Sequence, residues 1–121
     1  MTDERKDFGR LGEDAAGEYL ASIGYEILER NYETYSGEID IVARDGETIV
    51  FAEVKARKNK RYGRAAAAVT LGKLSHIAKS SAIYMKRHPE LKGFHQRIDV
   101  IEIYSGGKLE HIKSVSLEGV I

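Results

Sequence analysis

The 121-residue chain carries 19 basic and 19 acidic side chains, 42% hydrophobic residues and no cysteine. This suits one domain spanning 1–121, long enough to bury about two-thirds of its unfolded surface. It excludes a disulfide framework, thiolate zinc or iron–sulfur sites and a cysteine nucleophile.

From Asp3 to Ile23, the residues Phe8, Leu11, Ala15, Tyr19 and Ile23 recur at helical spacing, and Gly24 supplies a C-terminal cap. Tyr25–Asn31 reads as the first strand, with Tyr25 and Ile27 on one face. Gly37–Arg44 reads as the second, Asp45-Gly46 as a tight hairpin turn, and Glu47–Ala56 as the third. Thr70 is placed to cap a second helix lined by Leu74, Ile77, Ala78, Ser81, Ala82 and Met85, which His88-Pro89 stops. Gln96–Tyr104 is the fourth strand, and Gly106-Gly107 turns it into a fifth, Leu109–Val115. The expected class is α/β, a mixed central sheet of about five strands flanked by helices. No apolar run approaches the roughly 20 residues of a membrane span. The charged start, Met1 to Asp7, lacks a signal peptide's apolar stretch, so the expectation is a soluble cytoplasmic protein without membrane contact.

The balanced charge hides a division along the chain. Residues 1–54 hold 14 acids and 5 bases, whereas residues 55–97 hold 12 bases and 1 acid. Lys55, Arg57, Lys58, Lys60, Arg61 and Arg64 fall within ten residues, with Tyr62 and Gly63 among them. Such a run reads either as a solvated loop or as a segment tracking nucleic-acid phosphates.

Register sharpens the reading of the acids. With Asp45-Gly46 as a two-residue loop, Arg44 pairs with Glu47, Val42 with Ile49, Asp40 with Phe51 and Glu38 with Glu53. Glu38, Asp40, Glu53 and Lys55 then project from one face, with Asp40 and Glu53 as diagonal neighbours. Carboxylates this close repel unless a cation neutralises them, and Mg²⁺ or Mn²⁺ prefers oxygen ligands. Lys55, one pleat beyond Glu53, is placed to bind a phosphate oxygen or position the attacking water. The set suits metal-assisted hydrolysis of a phosphodiester. Glu53 and Lys55 also read as a plain ion pair where a strand reaches solvent. Asp40, between Ile39 and Ile41, is harder to explain that way, because an unpaired buried charge costs several kcal/mol.

At these residues the sequence resembles a known family. Gly37-Glu38-Ile39-Asp40-Ile41-Val42, followed by Val50-Phe51-Ala52-Glu53-Val54-Lys55-Ala56-Arg57, resembles the Asp…Glu-x-Lys signature of the restriction-endonuclease-like superfamily. More closely, the chain resembles the YraN-like family, generally regarded as predicted endonucleases and similar to archaeal Holliday-junction resolvases. Gly9-x-x-Gly12-Glu13 and Ala16, Arg30-Asn31, Ala68-Val69-Thr70 with Lys73, and Arg97-Ile98-Asp99-Val100 extend the likeness over nearly the whole chain. Ala52 departs mildly, standing where relatives often carry a larger apolar residue. The resemblance implies a single restriction-endonuclease-like domain, with Asp40 and Glu53 as metal-binding acids, Lys55 as the catalytic lysine and Glu13 as a helix glutamate reaching into the site. Gly12 would let that helix approach another backbone closely.

The expected activity is that of a Mg²⁺- or Mn²⁺-dependent endodeoxyribonuclease acting on branched or single-stranded DNA in DNA processing or repair. The alternative is a non-catalytic nucleic-acid-binding module on the same fold. Arg57, Lys58, Lys60, Arg61, Arg64 and Lys73 are the expected phosphate contacts, Lys73 acting beside the N-terminus of its helix. A homodimer is expected by analogy with resolvases. Asp99 reads as a structural partner of Arg97, and His76, His88, His95 and His111 show no ligand spacing.

Overall fold

The computed structural model describes residues 4–57 and 71–115. In chain order these form α1 (Glu4–Ser22), β1 (Glu26–Thr34), β2 (Gly37–Asp45), β3 (Thr48–Arg57), α2 (Leu71–Arg87), a 3-10 turn (Pro89–Leu91), β4 (His95–Tyr104) and β5 (Leu109–Ile112). The five strands lie in sequence order in one sheet. β3 and β4 run parallel, joined by the crossover that contains α2, and every other neighbouring pair is antiparallel. The class is the expected one: α/β, with a five-stranded mixed sheet and two helices.

Alternation divides the apolar residues of the central strands between the two helices. Ile41, Ala43, Val50 and Ala52 pack with Ala16 and Leu20 of α1. Val42, Ile49 and Phe51 pack with Ile77 and Tyr84 of α2. Strands covered on both sides read as near-continuous apolar runs, as these do.

The hairpin register differs from expectation. Asp45 pairs with Thr48, so the two-residue loop is Gly46-Glu47, and Val42 faces Phe51 rather than Ile49. Gly46 has φ 60. A glycine in the first central position is the signature of a type II′ turn, which leaves the second position free of a positive φ and open to Glu47. The Arg44 Nε donates to the Gly46 carbonyl at 2.9 Å. Each opposed pair moves by two in its summed residue numbers, so the faces survive the change. β1 runs on to Thr34, and β5 stops at Ile112, although the Val115 N–H still reaches the Ile98 carbonyl at 2.8 Å.

α1 lies very close to β3. A Cβ built on Gly12 would stand 2.9 Å from the Cβ of Ala56, so only glycine lets the helix settle there. Overpacking costs about 1–3 kcal/mol, against the ~1 kcal/mol a helix gains from alanine in place of glycine. Gly12→Ala is therefore expected to lower the melting temperature, and adding Ala56→Gly to recover part of the loss. Thermal unfolding of the two variants checks this.

A polar cluster pins β4 to its surroundings. The buried Asp99 accepts from Arg97 Nε at 2.8 Å, from His111 Nε2 at 2.7 Å and from the Ser114 N–H at 3.1 Å. Arg97 also donates to Tyr25 Oη at 2.7 Å and to Asp45 at 3.2 Å, and Tyr19 Oη lies 2.9 Å from His111 Nδ1. The expected Arg97–Asp99 pair is present, and it joins α1, β2, β4 and β5.

Candidate metal centre

The site begins where β2 leaves β3. The paired ladder runs from Asp45 and Thr48 to Ile41 and Ala52. The next residues along are Asp40 and Glu53, which makes them opposed rather than diagonal. There the Asp40 side chain replaces the ladder, its Oδ2 accepting the Val54 N–H at 2.8 Å. The alternation of β2 breaks at the same point, since Ile39 packs with Val42 on the α2 side. Asp40 thus lies in the opening between two strands, within reach of groups from both layers.

Three carboxylates gather on the α1 side. Glu13, Glu38 and Asp40 each offer an oxygen within 4.8 Å of the others. The close seat of Gly12 on Ala56 brings Glu13 here. Toward α2 lies Glu53, only 3% exposed. Its Oε1 is 3.3 Å from Lys73 Nζ and 3.9 Å from Lys55 Nζ. Its Oε2 is buried with no hydrogen-bond partner.

Every acid of the group holds its proton more tightly than usual. Burial is the largest cause in each case. Asp40 adds repulsion at Glu13, Glu38 and Glu53. For Asp40 itself, burial outweighs the Val54 N–H and the charge of Lys73. The effect is largest at Glu53, pushed up to about 7 although Lys73 and Lys55 pull it down. Two lysines do not balance four carboxylates. An all-oxygen donor set, deficient in positive charge and holding a buried oxygen without a partner, fits a hard divalent cation.

The structure brings Asp40, Glu53, Lys55 and Glu13 into this one region, but not from the single face expected: the break in alternation leaves Glu38 and Asp40 with Glu13 on the α1 side, while Glu53 meets Lys73 of α2. Glu38, grouped with the acids by its place two residues before Asp40, stands among them. The structure also adds Asn31, whose amide, turned with nitrogen toward the acids, reaches Glu13 and Glu38. Lys73 lies against Glu53 at the start of α2. Arg57, expected on phosphate, has its Nε 2.6 Å from Oε1 of the fully buried Glu102. Lys58, Lys60, Arg61 and Arg64 lie outside the described residues, as does Thr70. Beside the acids opens a cleft of about 600 Å³ lined by Arg10, Glu13, Arg30, Asn31 and Glu38. Arg30 is held by Asp14 at 2.7 Å. Among the described residues no helix is long and apolar enough to cross a membrane.

Comparison with known proteins places the chain. Its fold is similar to part of a chain in the structure titled EndoMS-dsDNA2 complex, with a TM-score of 0.43 and 16% identity, covering 79% of this chain and 38% of that one. It is 50% identical over 98 residues to a UPF0102 protein of Clostridium kluyveri, covering 81% of this chain and 80% of the relative. It is 44% identical over 108 residues to one of Syntrophus aciditrophicus, covering 87% and 84%. To one of Caldicellulosiruptor saccharolyticus it is 39% identical over 106 residues, covering 88% and 89%. The model of the uncharacterised protein family UPF0102 matches residues 12–103, a span that contains Glu13, Glu38, Asp40, Glu53 and Lys55. With that match and those identities, the chain belongs to the UPF0102 family, the YraN-like proteins its motifs resemble.

Proposed function

We propose that the protein is a divalent-metal-dependent nuclease, a single restriction-endonuclease-like domain that hydrolyses phosphodiester bonds in branched or single-stranded DNA. The observation that carries this is the Asp40–Glu53 pair. A half-buried and a buried carboxylate face each other where strands part, the buried one with an unpartnered oxygen, and a half-exposed lysine amine stands beside them. A structural ion pair has no use for the second acid. A module that only binds nucleic acid has no use for acids next to phosphates.

Asp40, Glu53 and Glu13 would hold Mg²⁺ or Mn²⁺, with Glu38 alongside. The ion would supply Lewis acidity toward the phosphodiester. Lys55 Nζ can donate to a phosphate oxygen and offset the negative charge that builds there, while Glu53 keeps the amine at the site. Lys73 supplies a second positive charge on the α2 side. The basic run Lys58, Lys60, Arg61 and Arg64 would hold the nucleic-acid backbone through salt-sensitive contacts. A homodimer would present two such sites to two strands.

The test is a cleavage panel of duplex, flap, single-stranded and four-way-junction DNA and RNA, in Mg²⁺ and in Mn²⁺, with EDTA and Lys55→Ala as controls. Metal-dependent cleavage of DNA, lost in Lys55→Ala while DNA binding persists, is the expected result. Salt-sensitive binding with no cleavage by wild type in either metal refutes the enzyme reading and leaves a binding module.

A further inference from the structure

Asn31 stands out in the sheet. It sits in β1 between Arg30, which pairs with Ile41, and Tyr32, which pairs with Ile39. Its φ is 53. Residues with side chains are uncommon in this left-handed region, and asparagine is among those that tolerate it best. With its amide nitrogen turned toward the acids, Nδ2 donates to Glu38 Oε1 at 2.8 Å and to Glu13 Oε2 at 3.1 Å. These carboxylates come from different elements, α1 and β2, and repel each other. With Asp40 they present oxygens within 4.8 Å of one another.

We infer that Asn31 is a positioning residue for the divalent-cation site. It couples the outer carboxylates Glu13 and Glu38 through the two hydrogens of a single amide. This rests on the metal-dependent reading above and adds a residue that reading does not require. The chemistry favours an amide over the alternatives. A lysine or arginine would bind both carboxylates but cancel the charge that attracts a cation. An aspartate would offer only acceptors to acceptors. The amide has two donors and no charge, so it orients both acids and leaves their charge intact. Groups that orient metal ligands through hydrogen bonds act on affinity without touching the ion. The amide thereby ties β1 to both β2 and α1.

Asn31→Gly separates backbone from amide, because glycine accepts the same φ without strain. Manganese binding by isothermal titration calorimetry, in protein shown to be folded by its melting curve, reads out the proposal without any activity. Asn31→Gly is expected to weaken Mn²⁺ binding by about ten- to a hundredfold, with little change in the melting temperature of the metal-free protein. In a Glu38→Gln background the same substitution is expected to cost less, since one of its two acceptors is already altered. If wild type binds Mn²⁺ and Asn31→Gly binds it equally well, the positioning role is overturned, whatever happens to the melting temperature. If wild type takes up no Mn²⁺, the metal reading falls and this inference with it.

Discussion

Glu53→Gln is expected to cut cleavage steeply and, at alkaline pH, to make the metal-free protein more stable. Burial and the neighbouring Asp40 push the Glu53 carboxyl up to about 7 from the usual 4.5. Between those values the folded chain keeps a proton that the unfolded chain releases. Stability therefore falls as pH rises from 4.5 through about 7 and levels off above, at a cost of up to about 3 kcal/mol. Glutamine fills the same space and never ionises. In EDTA, Glu53→Gln should melt roughly 5–10 °C above wild type at pH 8 and close to it at pH 4.5. Cleavage should fall by about a hundred- to a thousandfold, the scale on which one lost electrostatic contact to a transition state is felt. A variant less stable than wild type at pH 8 contradicts this account of the buried pair. Gain in stability with loss of activity is the pattern of a site strained for function rather than for folding.

Asp99→Ala is expected to do the reverse, harming the fold first. Burial alone would raise the Asp99 carboxyl, but the bonds from His111, Arg97 and the Ser114 N–H outweigh it and hold the group below the usual range. Its stabilising effect is thus fully present above the ordinary carboxylate range and is lost only as pH falls through that lowered value. Removing it strips Arg97 of its closest charged partner and leaves His111 Nε2 without an acceptor in a site that is 0% exposed at Asp99. Breaking a buried pair from one side costs about 3–5 kcal/mol, a large share of the 5–15 kcal/mol that typically holds a domain together. Urea unfolding at pH 7 measures it, and a loss below about 1 kcal/mol would show that the cluster is not structural.

Element order was legible because the chain is locally consistent. Helical spacing in the first 23 residues, alternation flanking Asp45-Gly46, and the stop at His88-Pro89 each act within a few residues, although α1 buries Ala16 and Leu20 and leaves Leu11 and Ile23 of the expected stripe exposed. The turn itself was misplaced by one residue, since both Asp45-Gly46 and Gly46-Glu47 suit a glycine-containing two-residue loop. Only strand pairing chooses between them, and because the offset preserves the faces, the grouping of Asp40 with Glu53 did not depend on the choice. The break in alternation at Asp40 was not legible, for it arises from β2 parting from β3, which no local pattern encodes. Arg57 was read from its basic neighbours, whereas its partner Glu102 comes to it only through the parallel pairing of β3 with β4. Asn31 had no periodic signal, since a left-handed backbone is a property of the folded strand.

The bond from the Val54 N–H to Asp40 assigns separate duties to the two oxygens of one side chain. Oδ2 stands in for the strand carbonyl that the parting of the hairpin removes, leaving Oδ1 outside that ladder bond. Architecture and chemistry are thus fixed by the same three-atom reach. Glutamate would overshoot one duty or the other, and alanine would leave the Val54 N–H without its partner as well as removing one of the three gathered carboxylates.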